Sequence, residues 1–240
     1  YTTRKGYVSG AADLADTVKG CFLGQAGDWC TTPAQSINYA SCHDNMTLLD
    51  RISRSTPGVS EEDRIRMNNL SAVIYMTAQG IPFLQAGEEM LRTKIDASGG
   101  FVENSYNSPD SVNSIKWDTL EDEAYQNVYN YYKGLIAFRK AHAALRLTNA
   151  ADVNANITSV DGLDENVLAF RINGGVNGET SDGIFVIFNP NSTETSVTLP
   201  DGAWDVCVNA DHAGTEALTT VSGSVSVEPI SAMVLVKKES

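Results

Sequence analysis

Two short apolar runs, at residues 37–42 and 81–86, bracket a stretch of helical periodicity, and this arrangement limits the fold more than any other feature of the chain. Ser60 stands three residues before Asp63, with Glu61 and Glu62 between them, an order that suits a helix N-terminus. Arg66, Leu70, Val73, Ile74 and Thr77 follow at helical spacing until Gly80 and Pro82 end the pattern. A strand, a helix of this length and a second strand make a parallel β-α-β unit. Two parallel strands cannot bury both of their faces alone, so such a unit calls for more sheet.

After about residue 145 the character changes. The runs at 166–172, 183–188, 195–199, 204–208, 224–227 and 232–236 are short, alternating and rich in Val, Ile and Phe, with turn residues between them such as Asn189-Pro190-Asn191 and Pro200-Asp201-Gly202. Regular short strands with this punctuation point to an antiparallel sandwich. Between the two regimes lie a long polar loop, about 92–118, and a helical stripe through Val128, Tyr132, Leu135, Ile136 and Arg139 in a helix expected over about 120–143. Phe101, Tyr106 and Trp117 look like buried anchors that keep the loop ordered. The expected division is residues 1–145 and 146–240, an α/β part and an all-β part. A complete (β/α)₈ barrel takes roughly 250 residues, so a barrel parent would leave only its closing strands here. A small open α/β sheet is the competing arrangement.

Charge removes several functions. With 17 Lys and Arg against 30 Asp and Glu, the net charge is −13, which repels phosphate backbones and argues against nucleic acid or an anionic membrane as partners. No apolar run reaches the length of a membrane span. Cys21, Cys30, Cys42 and Cys207 show neither zinc-ligand spacing nor the density of a disulfide scaffold, and Cys42 reads as a small buried hydrophobe. The compartment stays open between a secreted or cell-surface protein and a cytoplasmic one.

In parallel α/β folds, ligands meet the C-terminal ends of the strands. His43-Asp44 and Glu88-Glu89 both stand there. For His43 and Asp44 three readings are open from spacing alone: a carboxylate beside a cationic transition state with an imidazole on substrate, a pair of metal ligands, or a hydrogen-bonded cap at a strand end. His142 reads as a helix-end charge that suits the dipole, as do Arg139 and Lys140, and His212 as a loop residue. Trp204 reads as core, whereas Trp117 fits either core or a sugar-stacking surface.

Longer motifs add to this. INYASCHDNMTLLDRI resembles the segment around strand seven of the alpha-amylase superfamily of glycoside hydrolases (family 13), in the form found in type I pullulanases. QGIPFLQAGEEMLRTK resembles the strand-eight motif of that superfamily, NSYNSPDSVNSIKWD the loop that follows it, and YYKGLIAFRKAHAALR its last barrel helix. The resemblance implies the C-terminal part of a (β/α)₈ barrel followed by an antiparallel β-sandwich, beginning just after strand six. It implies Asp44 as the transition-state-stabilising carboxylate, His43 as a ligand of glucosyl hydroxyls, and Glu89 as a structural or supporting residue. Asn104, Tyr106, Asp110 and Asn113 match positions near the substrate cleft, and IDASGGFVE, just before them, looks longer than the usual insert. The implied activity is retaining cleavage of α-1,6-glucosidic bonds in pullulan and branched dextrins. The nucleophile and acid/base of that scheme come from strands four and five, which have no counterpart here, so the chain alone is expected to be inactive. No cofactor is implied; calcium is found in the family, but no calcium site is identified in this sequence. The implied partners are α-glucans, with the rest of the barrel or a second copy covering the open strand edges. A non-catalytic carbohydrate-binding or interaction module is the alternative.

Overall fold

The computed structural model describes residues 3–25 and 28–238. Its first half carries helices α1 (Ala15–Phe22), α2 (Leu48–Ser55), α3 (Glu61–Thr77), α4 (Asp110–Asn113) and α5 (Glu123–Ala141), with strands β1 (Ile37–Asn38) and β2 (Ile81–Pro82). A further helix, α6 (Ala150–Asn156), leads into β3 (Ile157–Ser159), β4 (Leu168–Asn173), β5 (Gly183–Asn189), β6 (Thr195–Thr198), β7 (Trp204–Val208), β8 (Thr219–Val221), β9 (Ser224–Val227) and β10 (Ser231–Lys237). Helix α6 corrects the expectation that helix ends near residue 145. Asn149 caps it, its Oδ1 accepting from Asp152 N–H at 2.8 Å.

β1 and β2 pair in parallel, Ile37 opposite Ile81, with α3 as the crossover. Ser60 caps α3 as the sequence suggests, its hydroxyl accepting from Asp63 N–H at 3.1 Å. The pair is shorter and more exposed than two apolar runs predict. Each strand has two residues, and Ile37 is 58% exposed. With only two strands, there is little sheet to cover such side chains.

β3 to β10 form a six-stranded antiparallel sheet in the order β3-β4-β5-β10-β7-β8 and a separate β6-β9 pair. Every residue of β5 is buried. Its period-2 alternation sorts them: Ile184, Val186 and Phe188 join the core shared with the helices, while Phe185 and Ile187 join a second core. That second core includes Val197 and Leu199, Val225 and Val227 of β9, and Trp204.

The helical half and the sheet share one core. Phe22 of α1 stacks on Phe170 of β4 at 3.9 Å between centroids and meets Phe188 edge-on at 5.7 Å. Gln79, just past α3, is fully buried: its N–H donates to Phe22 O, its Nε2 to Ala144 O, and its Oε1 accepts from Leu147 N–H, all between 2.8 and 2.9 Å. Packing therefore runs straight across residue 145. Arg139 departs from the expectation of a helix-end charge, while His142 is the C-terminal cap of α5, as expected. Arg139 is buried and donates at 2.8 Å to the carbonyls of Met76, Ala78 and Gly80, satisfying the end of α3 instead of its own helix. His142 Nδ1 lies 3.1 Å from Glu179 Oε1, at the junction with the sheet.

Candidate active site

The polypeptide leaves β1 and β2 side by side, and their exits stay joined. Phe83 N–H donates to Asn38 O at 2.9 Å, and Tyr39 meets Phe83 edge-on at 5.9 Å. Two residues later Ser41 Oγ donates to Glu88 Oε2 at 2.7 Å. The chain then rises into solvent. His43 Nε2 lies 3.6 Å from Asp44 Oδ2, with side chains 88% and 72% exposed. Asn45 takes a left-handed turn at φ 63°, which Asn tolerates better than most residues, and the buried Met46 and Thr47 return the chain to the core. Thr47 then caps α2, accepting from Asp50 N–H at 3.3 Å. Cys42, expected to be buried, is only half-buried because it belongs to this rising segment.

Beyond β2, Gly87 and Leu91 both adopt left-handed conformations around a tight 3-10 turn, Glu88–Met90. Gly87 has no alternative: a Cβ there would stand 2.7 Å from Arg92 Cδ. The turn sends Glu88 inward and keeps Glu89 local, where its carboxylate accepts from Gly87 N–H at 2.9 Å. Glu88 is buried, and burial raises its carboxyl above the usual range although Tyr75, Ser41 and Tyr132 all donate to it. Lys94 is drawn in as well. Its N–H donates to the buried Asp50 Oδ2 at 2.8 Å. Burial, then the nearby Arg92, lowers its ammonium pKa, while Asp50, Asp44 and Cys42 pull the other way. Asp50 itself is raised, chiefly by burial.

Arg92 ties the polar loop to the same strand end, donating to Ala86 O at 3.1 Å and to Asn113 O. Asn113 Nδ2 in turn donates to Ser105 O at 2.6 Å and Ser108 O at 3.0 Å, so its amide holds the loop together. Asn104 and Asp110 are exposed, Asp110 opening α4. Tyr106 and Trp117 are not anchors as expected: they are 83% and 64% exposed. The loop is instead ordered by backbone bonds, by Asn113 and by the buried Val112. The long insert closes on itself through Asp96, whose Oδ1 accepts from the Ser98 hydroxyl, Ser98 N–H and Gly100 N–H at 2.6–3.0 Å. Those donors, the Ser98 hydroxyl first, hold its carboxyl below the usual range.

The structure thus brings His43 and Asp44 together, and it brings the loop bearing Asn104, Tyr106, Asp110 and Asn113 to the neighbouring strand end. Glu88, expected with Glu89 at the strand-end mouth, is instead turned inward and buried, and Lys94 was not singled out in the sequence. Only their burial sets them apart, and burial is not visible in a Gly-Glu-Glu or Arg-Thr-Lys string. Among the described residues no group of three or more His, Cys, Asp and Glu is arranged to hold a metal ion. Chemically the mouth offers an exposed carboxylate and imidazole side by side, able to accept and donate to hydroxyls or to face a positive charge.

An open carboxylate–imidazole mouth beside a polar loop suits a polyhydroxylated substrate, and the chain's relatives are starch-debranching glycoside hydrolases. A model of the pullulanase all-beta domain matches residues 153–212. The pullulanase of Bacillus subtilis is 36% identical over 173 residues, covering 70% of this chain and 23% of the relative, and the isoamylase of a Flavobacterium species is 29% identical over 217 residues, covering 72% and 27%. Among solved structures, the Bacillus acidopullulyticus pullulanase superposes with a TM-score of 0.93 at 37% identity, over 99% of this chain and 28% of the other. That of Paenibacillus barengoltzii in complex with maltohexaose and alpha-cyclodextrin gives 0.88, also at 37%, over 99% and 36%. The chain belongs to the pullulanase family, and it spans about a quarter of the length of the curated relatives it matches.

Proposed function

We propose that this chain is the C-terminal part of a starch-debranching hydrolase that cleaves α-1,6-glucosidic bonds in pullulan and branched α-glucans with retention. Residues 1–145 supply the last two strands of a (β/α)₈ barrel with their helices, and residues 146–240 form an antiparallel β-sandwich. The observation that carries this reading is the exposed His43–Asp44 pair at the end of β1, in a chain that superposes over 99% of its length on a solved pullulanase. Asp44 stabilises positive charge developing at the anomeric carbon, since a carboxylate aimed at that charge acts through the field alone. His43 binds glucosyl hydroxyls. Asn104, Tyr106 and Asp110 contact the glucan, and Asn113 shapes the loop that presents them. Glu89 steadies the turn after β2. Nucleophile and general acid/base come from strands four and five of the barrel, and the remainder of that barrel covers the open edges of β1 and β2. An α-glucan is the substrate class, in keeping with the maltohexaose and cyclodextrin complex of a relative.

Pullulan hydrolysis tests the reading. The 240-residue chain alone releases no reducing ends, whereas the complete enzyme containing it does. Asp44→Asn in that enzyme lowers kcat by about 10³-fold or more. Turnover by the isolated chain, or an active Asp44→Asn enzyme, overturns it. The exposed rings of Tyr106 and Trp117 favour a second reading, a carbohydrate-binding module without chemistry. Maltohexaose binding lost in Trp117→Ala, with Asp44→Asn fully active, would support that one.

A further inference from the structure

A carboxylate shut off from solvent lies at the base of the loop that carries His43 and Asp44. Glu88 is 4% exposed, and hydroxyls from three separate elements converge on it. Tyr75 of α3 donates to Oε1 at 2.6 Å, Tyr132 of α5 to the same oxygen at 3.1 Å, and Ser41, beyond β1, to Oε2 at 2.7 Å. Asn68 Nδ2 donates to the Tyr132 hydroxyl oxygen at 3.0 Å, so the hydroxyl's own proton is left for Glu88. The left-handed Gly87 and Leu91 hold the short turn in which Glu88 faces inward.

Filling space does not account for this arrangement. A buried carboxylate is far more costly to desolvate than an apolar side chain of the same volume, and a Leu or Met would pack the site without that cost. What an apolar residue cannot do is hold Ser41. Ser41 is the member of the network that sits on the catalytic loop, two residues before His43 and three before Asp44. Downstream the loop is pinned by the buried Met46 and Thr47, and upstream by the bond from Ser41 to Glu88. Between these pins, His43, Asp44 and Asn45 are exposed.

We infer that Glu88 is a positioning residue for the hydrolase: acting through Ser41, it sets the height and direction of the His43–Asp44 segment against β2, α3 and α5. This rests on the reading of Asp44 as the carboxylate that faces the reacting carbon. The frame needs hydrogen-bond geometry and not charge. In Glu88→Gln, Oε1 still accepts from both tyrosines, Nε2 donates to Ser41 Oγ, and the Ser41 proton turns to Gln85 Oε1, 3.4 Å away.

Two measurements test it together. In the complete enzyme, Glu88→Ala lowers kcat on pullulan by about 100-fold and Ser41→Ala by about 10-fold, with KM changed less than about threefold, while Glu88→Gln recovers kcat to within about threefold of wild type. In the 240-residue chain, the His43 ring resonances shift and broaden in Glu88→Ala and Ser41→Ala but not in Glu88→Gln. His142 and His212, the other two histidines, stay where they were. An unchanged kcat in both alanine variants, an unmoved His43, or a Glu88→Gln enzyme as impaired as Glu88→Ala overturns the inference. Should Glu88→Ala fail to fold, Ser41→Ala decides alone, since it removes one hydroxyl. A wild-type enzyme inactive on pullulan, with His43 still following Ser41 and Glu88, supports the strut and overturns the hydrolase reading.

Discussion

β5 and β1 each fall in a mostly apolar run of the sequence, and they end in opposite conditions. β5 is seven residues long, flanked by β4 and β10 and buried on both faces. β1 is two residues long, paired on one side with β2, and carries Ile37 and then Tyr39 largely in solvent. β5 receives β4 across one loop and β10 only after β6 to β9 have intervened, Asn189 pairing with Ser231, and both neighbours lie within this chain. β1 receives β2 after the α3 crossover and, among the described residues, has no second strand beside it. β5 thus finds both neighbours and the cover for both faces among the described residues, one face in the core shared with the helices, whereas β1 finds β2 alone.

Three comparisons, built on five substitutions, probe that contrast. The largest effect is expected from Phe188→Ala, which empties a site between α1 and the sheet and should cost about 3–5 kcal/mol in urea unfolding. Phe83→Ala, at a side chain 42% exposed, should cost less than about 1 kcal/mol. Equal losses would mean that the face at β2 is as self-sufficient as the sheet.

Next comes Gly134→Ala in α5. Replacing a mid-helix glycine by alanine ordinarily stabilises by about 0.5–1 kcal/mol. Here the new Cβ would fall 1.8 Å from the Ala213 carbonyl oxygen in the connection after β7, so the sign reverses, with a loss of about 1–3 kcal/mol in thermal unfolding. A stabilised variant would show that the helical half and the sheet can part at this contact without penalty.

The smallest effect compares two buried glutamates. Burial pushes Glu179 up, but the N–H groups of Ala144 and Ser181, His142 and the Ser181 hydroxyl outweigh it and hold the carboxyl below the usual range. Its contribution is therefore complete above the unfolded value, about 4.3, and lost as pH falls through the lower folded value. Glu88 is raised, so it costs stability as pH rises from that same unfolded value through the folded one. Unfolding midpoints across pH should show Glu179→Gln removing part of the acid loss, and Glu88→Gln removing a decline that lies on the other side of the unfolded value. Matching profiles for the two variants would sink this assignment.

The antiparallel strands were legible because period-2 alternation and Pro, Asn and Gly turns are local signals, and β4 to β7, β9 and β10 fall within about two residues of the runs that announce them. The capped start of α3 was equally plain. Helix α6 was missed because seven residues carry too little periodicity, and β3 and β8 because three residues carry none. At the mouth, motif order picked out His43 and Asp44. Motifs could not tell that Asn113 serves the loop itself, or that Tyr106 and Trp117 stand in solvent.

What the sequence determined by itself is therefore what short-range chemistry encodes: helix caps, strand alternation, turn residues, and an acidic chain with a His-Asp pair at a strand end. Tertiary structure alone decided which charged groups go inside. Arg139 reaches three carbonyls of another segment, and Glu88 gathers hydroxyls from α3, from α5 and from beyond β1. The cost of burying a charge is met by partners far away in sequence, so no local pattern can reveal in advance that they will be there.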